Sequence, residues 1–170
     1  MRKAAVAALL LAAACGRRAA PPKTADARVQ TFEGLTLSQS ADGRPKWTLS
    51  SPSAVLHEDA KTADLDAPVM EFFRDGKPSS RVTALTGTIR TDTHDVTLSS
   101  SVVLDSSEDH SRLTTDVLYY SSKRERFHTE SPVVIRRPEG VVHGEGMEAT
   151  PDLSEIRIFR QRSRLSGMAR

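Results

Sequence analysis

The sequence predicts an all-β domain of stacked antiparallel β-repeats, and three observations lead there. From Thr31 to about Phe159 no stripe with a helical 3.6-residue period runs for any length; short runs rich in Val, Thr, Ile, Leu, Phe and Tyr alternate instead. Turn signals separate these runs at Asp42-Gly43, Asp59-Ala60-Lys61, Asp75-Gly76, Asp92-Thr93-His94, Ser122-Lys123, Glu139-Gly140 and Asp152-Leu153-Ser154. Finally, four segments repeat: HEDAKTADL (57–65), RTDTHDVTL (90–98), SSKRERFHT (121–129) and TPDLSEIRI (150–158), at offsets of 33, 31 and 29 residues.

The same offsets align the flanks. Leu56 falls with Ile89, Tyr120 and Ala149, Ala63 with Val96, Phe127 and Ile156, and Leu65 with Leu98, Thr129 and Ile158. Val82 falls upstream with Leu113 and Val142; Val69 falls downstream with Val102 and Val133, the first and third of these following Pro68 and Pro132. Each unit therefore reads as a strand, a tight turn, a strand, and a third strand after a proline or small residue. The fourth unit is expected to lack that third strand and to run into a basic tail at 160–170. A two-stranded ribbon cannot bury its apolar face alone, so the units must stack, and the period of two sends one column inward and a polar one, such as Thr62, Asp64 and Asp66, outward. Two such faces make a sandwich or jelly roll. With only five Phe, two Tyr and one Trp, and Phe127 the one Phe in the matched columns, an interior with room is expected.

A length of 170 residues suits one domain, expected over 31–159, and the single cysteine excludes an intramolecular disulfide. Residues 1–30 carry six Lys/Arg against one acid, residues 31–155 thirteen against twenty-one, and residues 156–170 five arginines and no acid. A phosphate-tracking surface on so acidic a body would be repelled by nucleic acid, which argues against that partner. No catalytic or metal-binding motif is present, so no enzyme, metal or cofactor is expected. His57, His94, His110, His128 and His143 are scattered over turns and strands, and Asp64 and Asp66 read as a solvated outer face.

At the N-terminus, Met1-Arg2-Lys3 and the apolar run Ala4–Ala14 read as a signal peptide (1–14), too short for a membrane span of about 20 residues. The stretch Leu11-Ala12-Ala13-Ala14-Cys15 resembles a bacterial lipobox, with Ala12 where the usual pattern has Leu. That resemblance implies acylation of Cys15; a plain signal cleavage that leaves the cysteine as a small apolar residue is the other reading. The polar, proline-containing segment 15–30 reads as a flexible tether.

The export signal, the Asp42-Gly43 hairpin leading to Trp47-Thr48-Leu49, the pattern Ala54…Leu56 and Leu65…Pro68-Val69, the Asp75-Gly76 hairpin and the later repeats together resemble the LptC family, the periplasmic component of lipopolysaccharide export. The resemblance implies a twisted, open β-jelly roll that receives lipid A acyl chains and passes them on. It further implies strand addition to permease subunits of an ABC transporter at one end and to an LptA-like periplasmic bridge protein at the other. The groove candidates are Leu56, Leu65, Val69, Ile89, Leu98, Val102, Leu118, Tyr120, Phe127 and Val133. The same columns would serve as an ordinary packed core, and alternation leaves open which of Val69-Met70 and of Val133-Val134 faces inward. An LptA-like bridge protein and a structural β-repeat lipoprotein are the alternative functions. The family role implies the inner membrane, whereas Gly16 after the cysteine is compatible with the outer one. Mass spectrometry of the mature protein from separated membranes is expected to find Cys15 at the N-terminus carrying acyl chains; an unmodified N-terminus elsewhere would refute the anchor.

Overall fold

The computed structural model describes residues 29–160 and the backbone of 162–165; the signal segment, Cys15 and the tether up to residue 28 lie outside the described residues. Twelve antiparallel strands form the domain: β1 (Val29–Ala41), β2 (Arg44–His57), β3 (Thr62–Asp66), β4 (Val69–Arg74), β5 (Lys77–Thr83), β6 (Thr86–Arg90), β7 (Val96–Ser106), β8 (Arg112–Ser121), β9 (Arg126–Arg137), β10 (Gly140–Ala149), β11 (Ile156–Ile158) and β12 (Arg162–Leu165). The expected hairpin turns are all present, and one more loop, at 107–111, joins β7 to β8.

The long strands change partners midway. β2 pairs with β4 through Trp47–Ser50 and with β3 through Ser53–His57; β7 pairs with β6 through Val96–Ser99 and with β5 through Val103–Ser106. At the far end β10 pairs with β11 through Met147–Ala149 and with β12 through Gly140–His143. One half of each long strand thus belongs to a layer with β3, β6 and β11, the other half to a layer with β4, β5 and β12. The two layers form a jelly roll hinged along one corner.

Backbone irregularities mark that corner. Gly34, Ala67, Ser100, Ser101 and Gly146 take positive φ there, and ladder register shifts between Ser99 and Val102, Thr115 and Tyr119, and Glu145 and Met147. Such bulges bend a strand and leave ladder groups unpaired. Buried hydroxyls take up the slack: Ser51 Oγ donates to the carbonyls of Ser53 and Asp66 (both 2.6 Å), Thr115 Oγ1 to Pro132 O (2.9 Å) and Thr129 Oγ1 to Val117 O (2.7 Å). Near the C-terminal edge glycine is required, since a Cβ on Gly144 would overlap Ile158 Cγ2 and Gly146 sits at φ +82°.

The repeat columns become continuous inward rows. In the first layer, cross-strand neighbours run Leu56, Ala63, Ile89, Val96, Tyr120, Phe127, Ala149 and Ile156. In the second they run Leu37, Leu49, Met70, Val82, Leu104, Leu113, Ile135 and Val142. Three expectations need correction. Val69 is half-exposed while Pro68 and Met70 are buried, because the first unit crosses the corner in one residue fewer than the second, so its alternation slips by one. The fourth unit does possess its third strand: Arg162–Leu165 forms β12, so the domain runs into the segment read as a tail. And the interior is filled, with Leu49, Met70, Ile89, Leu98, Leu104, Leu113, Leu118 and Phe127 all fully buried.

Leu98→Ala is expected to cost about 2–5 kcal/mol by leaving a cavity, and Thr129→Val about 1–3 kcal/mol by stranding the carbonyl of Val117. Urea unfolding of the two variants measures both losses.

Candidate functional site

The ten groove candidates divide by position. Leu65, Ile89, Leu98, Val102, Leu118, Tyr120, Phe127 and Val133 are buried and face inward, and Leu56 is half-buried against the same core. Val69 lies on the outer face. Alternation at the third repeat resolves in favour of Val133, which is buried, over Val134.

Sequence reasoning missed the aromatic cluster at the free rim, opposite the corner. Trp47 on β2 and Phe72 on β4 come from the second layer; Tyr120 on β8 and Phe127 on β9 come from the first. They meet edge to face, with ring centroids 6.5 Å apart for Trp47–Tyr120, 5.0 Å for Phe72–Tyr120 and 5.3 Å for Phe72–Phe127. These rings occupy the space that a low aromatic count suggested would be empty. Period-two alternation in KWTLS and VMEFF does point Trp47 and Phe72 inward, but their meeting across the layers has no signal in a repeat confined to one layer.

Above this cluster lies a cavity of about 260 Å³, floored by Phe72 and Tyr120 and bounded by both layers. On one flank Lys46 Nζ, from the second layer, pairs with Glu125 in the β8–β9 turn of the first. On the other flank Arg74, at the end of β4, pairs with Asp152 in the β10–β11 turn and with Glu108 (2.9 Å). Asp152 is held in place: its Oδ1 accepts from Thr150 Oγ1 (2.7 Å), Ser154 N (3.0 Å) and Ser154 Oγ (2.8 Å), which leaves Oδ2 for Arg74. Ser106 Oγ also donates to the Asp152 carbonyl (2.9 Å), and Gln39 Oε1 accepts from both Trp47 Nε1 (2.6 Å) and Ser122 Oγ (3.0 Å). The two rims are therefore tied by polar contacts laid over the cross-layer aromatic contacts and the buried Leu153 of the β10–β11 turn. The Lys46–Glu125 pair is 41% and 55% exposed, a setting in which ion pairs contribute only about 0–1 kcal/mol.

Burial, reinforced by the carboxylates of Glu125 and Asp95, pushes the Tyr120 phenol well above its ordinary value and keeps it neutral at the cavity floor. One cross-strand step from Phe72, Ser80 Oγ is buried with no hydrogen-bond partner. Apart from His94, the histidines and the Asp64–Asp66 pair singled out from sequence lie elsewhere. His57 Nε2 contacts Asp64 Oδ2 (3.0 Å) and Thr88 Oγ1 donates to Asp64 Oδ1 (3.1 Å), an exposed network on the outer face. His128 stacks on Tyr119, and His94 edges onto Trp47.

The sheet has two free margins. β1 pairs only with β2 among the described residues, and at the other end β11 and β12 lie outside β10. Unpaired strand edges are a liability unless another chain adds to them.

An alkaline titration of the two tyrosines is expected to show one phenol, Tyr120, ionising only above the ordinary range, and Tyr120→Phe should remove that late phase. Because the unfolded phenol ionises first, near pH 10, the stability held by neutral Tyr120 is present below that pH and is lost as pH rises beyond it.

A family model described as Lipopolysaccharide-assembly, LptC-related matches residues 4–163. No curated protein matches the chain significantly.

Proposed function

The chain belongs to the LptC-related family of lipopolysaccharide assembly, whose members act in the periplasm as a component of envelope lipopolysaccharide transport, and from that premise we propose that it is a tethered relay for the lipid. In this reading acyl chains of lipid A enter the jelly roll at the rim, lie among Leu98, Leu118, Tyr120 and Phe127, and leave to a neighbouring jelly roll without any bond being made or broken. The observation that carries it is the combination of a largely apolar inner surface with a rim where ion pairs and hydrogen bonds overlie the aromatic contacts between the layers.

The two free margins support the remaining parts. Strand addition along β1 and along β11–β12 would join the permease subunits of the transporter at one end and an LptA-like bridge protein at the other. Acylation of Cys15 would hold the domain at the membrane, the inner one if it serves the transporter directly. Several acyl chains, at about 0.8 kcal/mol per buried CH₂, give a firm anchor where one is marginal.

The filled interior favours one alternative, a structural lipoprotein that carries no lipid. A photoreactive residue at Phe127 or Leu98 separates the two in cells. Crosslinks to lipopolysaccharide are expected; crosslinks to protein alone would sink the relay.

A further inference from the structure

We propose that the rim cavity is a gate and headgroup site for a phosphorylated amphiphile, in which Lys46 and Arg74 exchange their carboxylate partners for phosphate as the chains pass between Phe72 and Tyr120. The proposal rests on the relay reading above and adds to it the place of admission and the groups that recognise the head.

Size is the first ground. The cavity is about 260 Å³ and the core behind it is full, whereas sites that enclose even drug-sized ligands run from about 300 to 1,000 Å³. A chain can enter only if the layers part, and on one flank of the cavity they are held by the exposed ion pair Lys46–Glu125 and the edge-to-face rings beneath it.

Charge is the second. Both cations at this mouth sit on the second layer and both acids that bridge to them sit on the first: Lys46 faces Glu125, and Arg74 faces Asp152. Separating the layers strips Lys46 of Glu125 and leaves Arg74 with Glu108 but without Asp152 at the moment the apolar floor opens. An anion carried by the entering molecule restores that charge balance, and a guanidinium fork suits phosphate geometry. The two acids are not equivalent. Asp152 is 95% covered and fixed by its own turn, while Arg74 is half-exposed and Glu125 and Lys46 are both on the surface. The Lys46 side chain is thus the part free to swing, while Arg74 keeps Glu108 as a second anchor.

An unmet hydrogen bond is the third. Ser80 Oγ is buried beside Phe72 without a partner, an arrangement that ordinarily signals a missing polar group. Ser80 lies behind Phe72 and outside the cavity lining. The carbonyl at the head of an acyl chain, just below a phosphorylated sugar or glycerol, therefore gives this hydroxyl an acceptor only once the layers have parted.

The test uses the full chain in detergent and the emission of Trp47, the one tryptophan, which lies against Tyr120 at the cavity floor. Three probes are titrated: bisphosphorylated lipid A, the same lipid after phosphatase treatment, and inorganic phosphate. Lys46→Gln and Glu125→Gln both abolish the same ion pair, so a contact that is only structural moves them alike. The gate moves them in opposite directions. Lys46→Gln is expected to weaken binding of bisphosphorylated lipid A about tenfold, the size of one charged hydrogen bond, and to leave the dephosphorylated lipid unaffected; Glu125→Gln is expected to tighten binding of lipid A. Arg74→Lys, which keeps the charge and the cover over Asp152 but loses the fork, is expected to fall between wild type and Lys46→Gln. Equal shifts in the two Gln variants, unchanged affinities in all three, or a response to inorganic phosphate matching that to lipid A would overturn the proposal while leaving the relay standing. A wild-type protein whose Trp47 ignores lipid A, and whose Phe127 position also fails to crosslink lipopolysaccharide, would overturn both.

Discussion

Everything in this molecule depends on the bend in its long strands. A strand that serves two layers must break its ladder at the corner, and every carbonyl and amide freed there needs a partner inside a nearly dry protein. Ser51, Thr115 and Thr129 supply those partners from buried positions, and residues in the left-handed region, from Gly34 through Ser100-Ser101 to Gly146, let the backbone turn. With the bend secured, the two inward surfaces face each other by necessity. Their rows of Leu, Ile, Val and Met then meet as one core.

The hinge also decides where the structure is weakest. Along the corner the layers are joined covalently by the strands themselves; along the rim they are joined by side chains. The rim contacts are ion pairs and hydrogen bonds around Gln39, Lys46, Arg74 and Asp152, set above rings that touch edge to face. Solvent competes for such polar contacts in a way it does not compete for a buried leucine. In the proposed relay that asymmetry matters, because layers parted on one side would keep the fold on the other.

Family membership and the filled interior fit together on these terms. A permanently open apolar groove in the periplasm would offer a large exposed apolar patch, which soluble surfaces rarely tolerate. A core that closes on itself between passengers avoids this, and the aromatic rings of Trp47, Phe72, Tyr120 and Phe127 are the ones that would have to move apart.

Most of the architecture was legible because β-structure is periodic. Alternation identified the inward columns from Leu56 to Val133, and the repeat, at offsets of 33, 31 and 29 residues, aligned them across the sheet. Val69 was misplaced because one residue fewer at the corner reverses every later side chain, and residue counts at a bulge are not readable from hydropathy. Strand β12 was missed because a four-residue edge strand of alternating arginines looks like a polar tail until the exposed edge of β10 is there to receive it. The rim site was invisible for a stronger reason: Lys46 and Glu125 lie 79 positions apart in unrelated repeats, and Arg74 and Asp152 lie 78 apart. By itself the sequence determined the strands, their inward rows and the lack of any residue pattern for catalysis, since these are local and periodic properties. Only the tertiary structure decided that the interior is closed, where the two layers meet along a rim and which charges sit there, because those depend on how two layers meet across a space that no stretch of chain records.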